Sequence, residues 1–436
     1  MNINFKSRNF TIGILLMAII FNGAIYNAFG LDIAVGILII EIAIFLYFMF
    51  ANTDVFNPAA LFSIFWLGGI GLSNFKLSYD QYNWSFYVWL NLLLAYFMFI
   101  SGYYYITNNK KLEKSYKLKT YKFSNERLYL AILILFVICV LAFLTEVVIL
   151  GFIPIFDKSM DAYMRFHISG IHYFTVSIGL IPPLTIIYKS TGGSKKIFIF
   201  NIVSILVSIS LVSRQLLLLE LILSVIIYNY SMKKISRKVI IALGIISIIA
   251  FSISSNFRHQ DVSYIYKVAN MKIEKKTILV QPYLYVTMNF ENLRNIIENF
   301  HSYKYGTNVL FPIFAFTNTK NFIDYSYKQE YFSNPLFNTT TFLSDIYYDF
   351  GIGGVVIFTF FLGGICAYIY KFIRKSDNKI ILLAYSILAY CLVFSFFAPW
   401  LFNPTIWFYI IITILVSLFC NISKDSKVNK IISKII

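Results

Sequence analysis

The sequence predicts an all-α polytopic membrane protein with about twelve transmembrane helices and one large external loop containing short helices. Three observations carry that expectation. Apolar residues make up 59% of the 436 and charged residues only 13%, with a mean hydropathy of +0.72. That is too little charge to solvate a globular surface of this size. Apolar runs near the roughly 20 residues needed to cross hydrocarbon recur between charged breaks. Finally, Lys and Arg gather in alternate short loops.

Taken in order, the runs are 10–29, 32–50, 58–74, 85–106, 128–150, 171–188, 197–213, 215–230 and 239–255, followed by 350–370, 380–398 and 404–420. They divide the chain into nine spans over 1–255, a large loop over 256–345, and three spans with a tail over 346–436. The basic start and first apolar run could be a cleaved signal, with a weak site at Ala28-Phe29-Gly30. A second span follows almost at once, so a retained first helix is the expectation.

One side of the membrane collects Lys6, Arg8 and seven cations in 108–127. It also holds Lys189, Lys195, Lys196, Lys233, Lys234, Arg237 and Lys238, then Lys371, Arg374, Lys375 and Lys379, then Lys424, Lys427, Lys430 and Lys434. The opposite short loops hold only Lys76, Lys158, Arg165 and Arg214. Twelve spans with both termini cytoplasmic satisfy this bias, so the net charge of +17 is a topology signal and calls for no nucleic acid. Cys139, Cys366, Cys391 and Cys420 all fall in apolar runs, which argues against a disulfide framework or a metal cluster. No histidine has metal-ligand spacing, so neither metal nor cofactor is expected.

The same topology exports 256–345. Its nine Lys/Arg and seven Asp/Glu suit a folded, charge-mixed segment. Residues 283–300 read as a helix, with Phe290, Leu293, Ile297 and Phe300 forming one stripe. Glu291, Arg294 and Glu298 lie on another side and read as a solvated charge ladder. Trp84, Trp89, Trp400 and Trp407 read as an interfacial belt.

Three arginines stand where apolar runs meet the outer surface: Arg165, Arg214 and Arg258. Arg214 is the sharpest, because Ser213-Arg214-Gln215 interrupts a largely apolar stretch. Arginine at mid-bilayer costs at least ~2.5–3.5 kcal/mol, so it must snorkel, pair with a carboxylate such as Glu220, or face a wet cavity. The functional reading is a fork of donors for a phosphate. At the far edge of the loop, Asp345 and Asp349 share a helix face if the helix continues. Either could take a proton from a sugar hydroxyl, although Asp349 also fits as an N-terminal helix charge. His259 follows Arg258 at a span end. Gly351, Gly353 and Gly354, and Gly363 with Gly364, suit close helix packing.

The chain resembles the bacterial oligosaccharide repeat-unit polymerases, the Wzy-type enzymes of O-antigen and capsule assembly. The resemblance rests on Ser213-Arg214-Gln215 and on the segment from Tyr285 to Asn292. It rests also on Tyr305-Gly306-Thr307 with Pro312, on the run from Asn338 to Gly354, and on Gly151 to Phe156 after an early span. It implies a GT-C-like membrane glycosyltransferase in the bacterial inner membrane, acting on undecaprenyl-diphosphate-linked oligosaccharides at the outer face. It implies Arg214 and Arg258, with Arg165 weaker, as diphosphate-binding residues. Asp345, Asp349 and His259 would be base or acceptor-orienting candidates, and Gln215 and Asn338 would contact sugar. A chain-length regulator and a flippase of the same pathway are implied partners. Two other readings stay open: a glycan ligase using the same donor, and a lipid-linked oligosaccharide flippase, against which the large loop argues.

Overall fold

The computed structural model describes residues 18–52, 54–109, 122–157, 159, 161–253, 262–273, 276–334, 336–376 and 378–422. Apart from one two-residue antiparallel pairing, Lys122–Phe123 with Asn421–Ile422, the regular elements described are helical. In chain order the principal helices are α1 (Ala18–Phe29), α2 (Leu31–Phe50), α3 (Pro58–Ser73), α4 (Phe86–Asn108), α5 (Asn125–Leu150) and α6 (Ile171–Ser190). Then come α7 (Ile199–Ser210), α8 (Arg214–Ser231), α9 (Arg237–Ile253), α10 (Val262–Val268), α11 (Val280–Asn299) and α12 (Phe311–Phe316). The last three are α13 (Ser344–Ile373), α14 (Ile381–Val393) and α15 (Pro404–Cys420). Within the described residues, each predicted apolar run falls on one of these helices. Five of them, α2, α4, α5, α6 and α13, are long and apolar enough to cross a membrane.

The chain folds as two compact units. The first joins residues 1–106 with 261–367 and 391–403, so the loop read as external packs on the early helices rather than standing alone. Backbone pairing binds the two: Tyr79 N donates to Asn270 O and Lys272 N to Leu77 O at 2.9 and 2.8 Å. The core is aromatic. Phe62 lies 4.2 Å from Phe99 between ring centroids, and Trp66 packs on Phe342 and Phe290. Trp84 and Trp400 are buried here, Trp84 against Trp89 and Phe290, so these two are core residues and not a belt.

Small residues set two helix crossings in this unit. A Cβ on Gly36 of α2 would come 2.7 Å from the carbonyl oxygen of Gly71 in α3. A Cβ on Gly102 of α4 would land on the Phe360 carbonyl of α13, and one on Gly363 would land on that of Phe99. Backbones in such close contact exclude any larger side chain. Gly351 does something else. It breaks α13 at φ 58°, ψ −150°, a conformation essentially restricted to glycine. A side chain there would also meet the Tyr303 hydroxyl at 2.6 Å.

The second unit joins residues 107–260, 368–390 and 404–436. Ser124 caps α5 by accepting from Arg127 N, and Gly151 ends it in the left-handed region at φ 75°. α5 packs on α6 and α15, and α6 on α8. The Tyr409 hydroxyl ties α15 to α6 by donating to Val176 O at 2.9 Å.

Candidate functional site

In the first unit the site begins with α11, whose amides fasten the chain that follows. Asn292 donates through Nδ2 to Phe337 O at 2.6 Å and Thr339 O at 2.7 Å, and its Oδ1 accepts from Ser333 N at 2.8 Å. Asn289 Oδ1 accepts the Thr339 hydroxyl. Two motifs far apart in sequence, Tyr285 to Asn292 and Asn338 to Thr341, are therefore one structure. α11 also holds Glu291, Arg294 and Glu298, which are not a solvated ladder. The Glu291 side chain is 2% exposed and that of Arg294 13%. Arg294 pairs with both carboxylates and lies 5.0 Å over the Tyr82 ring. Glu298 accepts from Ser85 N at 3.2 Å. Periodicity placed the three charges on one face correctly, but the 82–85 segment covers that face. Burial pushes the Glu291 carboxyl above the usual range, against the pull of Arg294.

The fastened segment leads into α13, where Asp345 is buried and Lys328 Nζ lies 2.6 Å from its Oδ1. Among the described residues Oδ2 of Asp345 accepts no hydrogen bond. The pair borders a cavity of about 150 Å³ lined also by Phe332, Asn338, Thr339, Thr340, Ser344, Tyr348 and Pro399. Asn338 is exposed at this cavity. The structure thus brings together two residues singled out from sequence, Asp345 and Asn338.

Asp349, one helical turn on, has a different setting. It is fully buried, and its carboxylate accepts from Asn308 N, Asn308 Nδ2 and Val309 N at 2.8–3.2 Å. It clamps the 304–309 turn, whose Lys304 and Tyr305 amides donate back to Tyr348 O and Asp349 O. Phenols surround the pair of acids. Burial, with help from Asp349 and Asp345, pushes Tyr325 up to about 12, and Tyr327 is raised by the same causes. Both stay neutral hydroxyls at physiological pH.

In the second unit Arg214 opens α8, whose cap Ser213 accepts from Leu216 N at 3.3 Å. Val212 just before it has φ 51°, an uncommon conformation for a β-branched residue. The Arg214 guanidinium is buried 4.8 Å over the Phe251 ring, while Glu220 takes the hydroxyls of Ser208 and Ser204. Gln215 is exposed. Arg165 is held by Asp157 at 3.0 Å and Asp161 at 3.2 Å. Arg258 and His259 lie outside the described residues.

Sequence reasoning missed two groups. Lys328 is 17 residues from its partner, and no spacing rule joins them. Glu146 is fully buried near the end of α5 and lies 3.1 Å from His172 Nδ1 through both oxygens. A signal for it existed, because a lone acid in a long apolar helix invites the same question as Arg214.

Residues 32–394 match the family described as "Putative O-antigen polymerase". No curated protein and no solved structure matches the chain. With most of its length matched, from the second helix to the end of the penultimate one, the chain belongs to the O-antigen polymerase family.

Proposed function

We propose that the protein polymerises undecaprenyl-diphosphate-linked oligosaccharide repeat units at the outer face of the bacterial cytoplasmic membrane. In this reading its twelve apolar segments all cross the bilayer in a GT-C-like arrangement. Both termini are cytoplasmic and 256–345 is exported. The observation that carries it, beside the family, is the buried Asp345 carboxylate at a cavity lined by Asn338, Thr339, Thr340 and Ser344 together with the aromatic residues Phe332 and Tyr348. Such walls suit a sugar, which offers hydroxyls at its edge and C–H groups on its faces. Asp345 removes the proton of an acceptor hydroxyl as that oxygen attacks the anomeric carbon of the donor glycan. The bond from that carbon to the diphosphate oxygen breaks, and its electron pair leaves with undecaprenyl diphosphate. Arg214 and Arg258 are the candidates to neutralise that leaving group. Arg165, already held by two carboxylates, is the weaker one. Asp349 holds the neighbouring turn, and Asn338 and Gln215 are the sugar-contact candidates. A flippase upstream and a chain-length regulator complete the pathway.

Glycan length on a gel tests this. Deleting the gene leaves lipid-anchored glycans carrying one repeat, and the wild-type gene restores the ladder. Long lipid-diphosphate polymer that accumulates uncapped after deletion would instead make the protein a ligase. An unchanged ladder would remove both enzymatic readings for that glycan.

A further inference from the structure

We propose that Lys328 is a positioning residue for the transfer: it pins Oδ1 of Asp345 and leaves Oδ2 as the oxygen that takes the acceptor proton. The inference rests on the polymerase reading above.

Lys328 sits in the 3-10 turn Ser326–Tyr331 of the loop, and its ammonium reaches Asp345 Oδ1 at 2.6 Å. Its side chain is 27% exposed and that of Asp345 8%, so the carboxylate is the more deeply buried partner of the pair. Two rings cradle it, with centroids of Tyr325 and Tyr348 at 5.5 and 5.8 Å. The cradle matters in the proton transfer. When Asp345 accepts the proton its attraction for Lys328 falls, and the two π faces keep the ammonium satisfied through the step.

The comparison with Asp349 shows what such an arrangement is for. Asp349 spends both oxygens on fixed N–H donors from one turn, as a structural acid does. Asp345 has a single cation on one oxygen, and its other oxygen is left for a ligand. A carboxylate this buried takes up a proton at higher pH once its counter-ion is removed, and a protonated carboxyl cannot act as the base. Lys328 therefore keeps the base ionised as well as turned. The other titratable groups near the pair are Tyr325, Tyr327, Tyr331, Tyr348, Glu330 and Asp349. Lys304 lies over the Tyr327 ring at 4.5 Å. Tyr325 and Tyr327, raised by burial, stay neutral, and Asp349 is occupied, so Lys328 is the cation that sets the state of Asp345.

The test uses the full chain in lipid nanodiscs with lipid-linked repeat units, measuring rate against substrate concentration and pH. Lys328→Met lowers kcat about 100-fold or more, within the range of a lost general base. KM stays within about threefold, and the acid limb of the profile moves to higher pH. Lys328→Arg, which keeps the charge, returns the limb to its wild-type position with part of the rate. Asp345→Asn abolishes transfer, and adding Lys328→Met to it changes nothing further. A Lys328→Met enzyme with wild-type kcat and pH profile overturns the proposal. So does one impaired only through KM, which would make Lys328 a substrate contact. If Lys328→Met fails to fold, the limb of Lys328→Arg decides: retained supports the proposal, displaced upward contradicts it. Failure of the polymerase reading looks different, because the wild-type chain itself would then leave repeat units unextended.

Discussion

Asp345 and Asp349 are the same residue type four positions apart on one helix, yet their surroundings give them opposite characters. Asp349 is enclosed by three donor groups of Asn308 and Val309, while Asp345 faces a cavity with one cation. Asp349→Ala therefore strands buried N–H groups, at a cost of about 1–3 kcal/mol for each one unsatisfied. The expected result is a lower melting temperature in detergent. Asp345→Asn should lose activity with its melting temperature nearly unchanged. Equal melting losses in the two variants would contradict the assignment. The sequence made both acids visible, as charges beside an apolar run. It could not rank them, because the donors on Asp349 come from a turn some forty residues earlier.

Helices were legible at the scale of elements because the apolar runs are long and set off by charged or Pro-bearing breaks, and within the described residues every predicted run lies on one. What covers a helix face was not legible. The Glu291, Arg294 and Glu298 trio followed helical spacing, but its shielding comes from residues 82–85, two hundred positions away. Removing the cation of such a group leaves the buried Glu291 carboxylate unpaired beside the half-buried Glu298. Arg294→Leu is expected to cost about 3–5 kcal/mol and to lower folded yield. Glu291→Gln, which removes a carboxylate already resisting ionisation, should cost much less. Measured melting temperatures in detergent check the order, and equal losses would return the trio to the surface. The break in α13 was half legible: the glycines were visible, but only the backbone identifies Gly351 as a break and Gly363 as a crossing point.

The whole molecule combines a class readable from composition with a site that is not. Few charges, many apolar runs and alternating basic loops are properties of the chain as a string, so the membrane class emerges without structure. The cavity depends on α11, the 326–331 turn, the 338–341 segment and the start of α13 arriving together, and only folding brings them there. A base role for Asp345 in polymerisation, as proposed, is read at this scale through the glycan. The most direct measurement is glycan length in a deletion strain complemented by wild type or Asp345→Asn at matched protein levels. A full ladder from wild type and only single-repeat glycans from Asp345→Asn are expected; a wild-type ladder from Asp345→Asn would contradict a base role for Asp345.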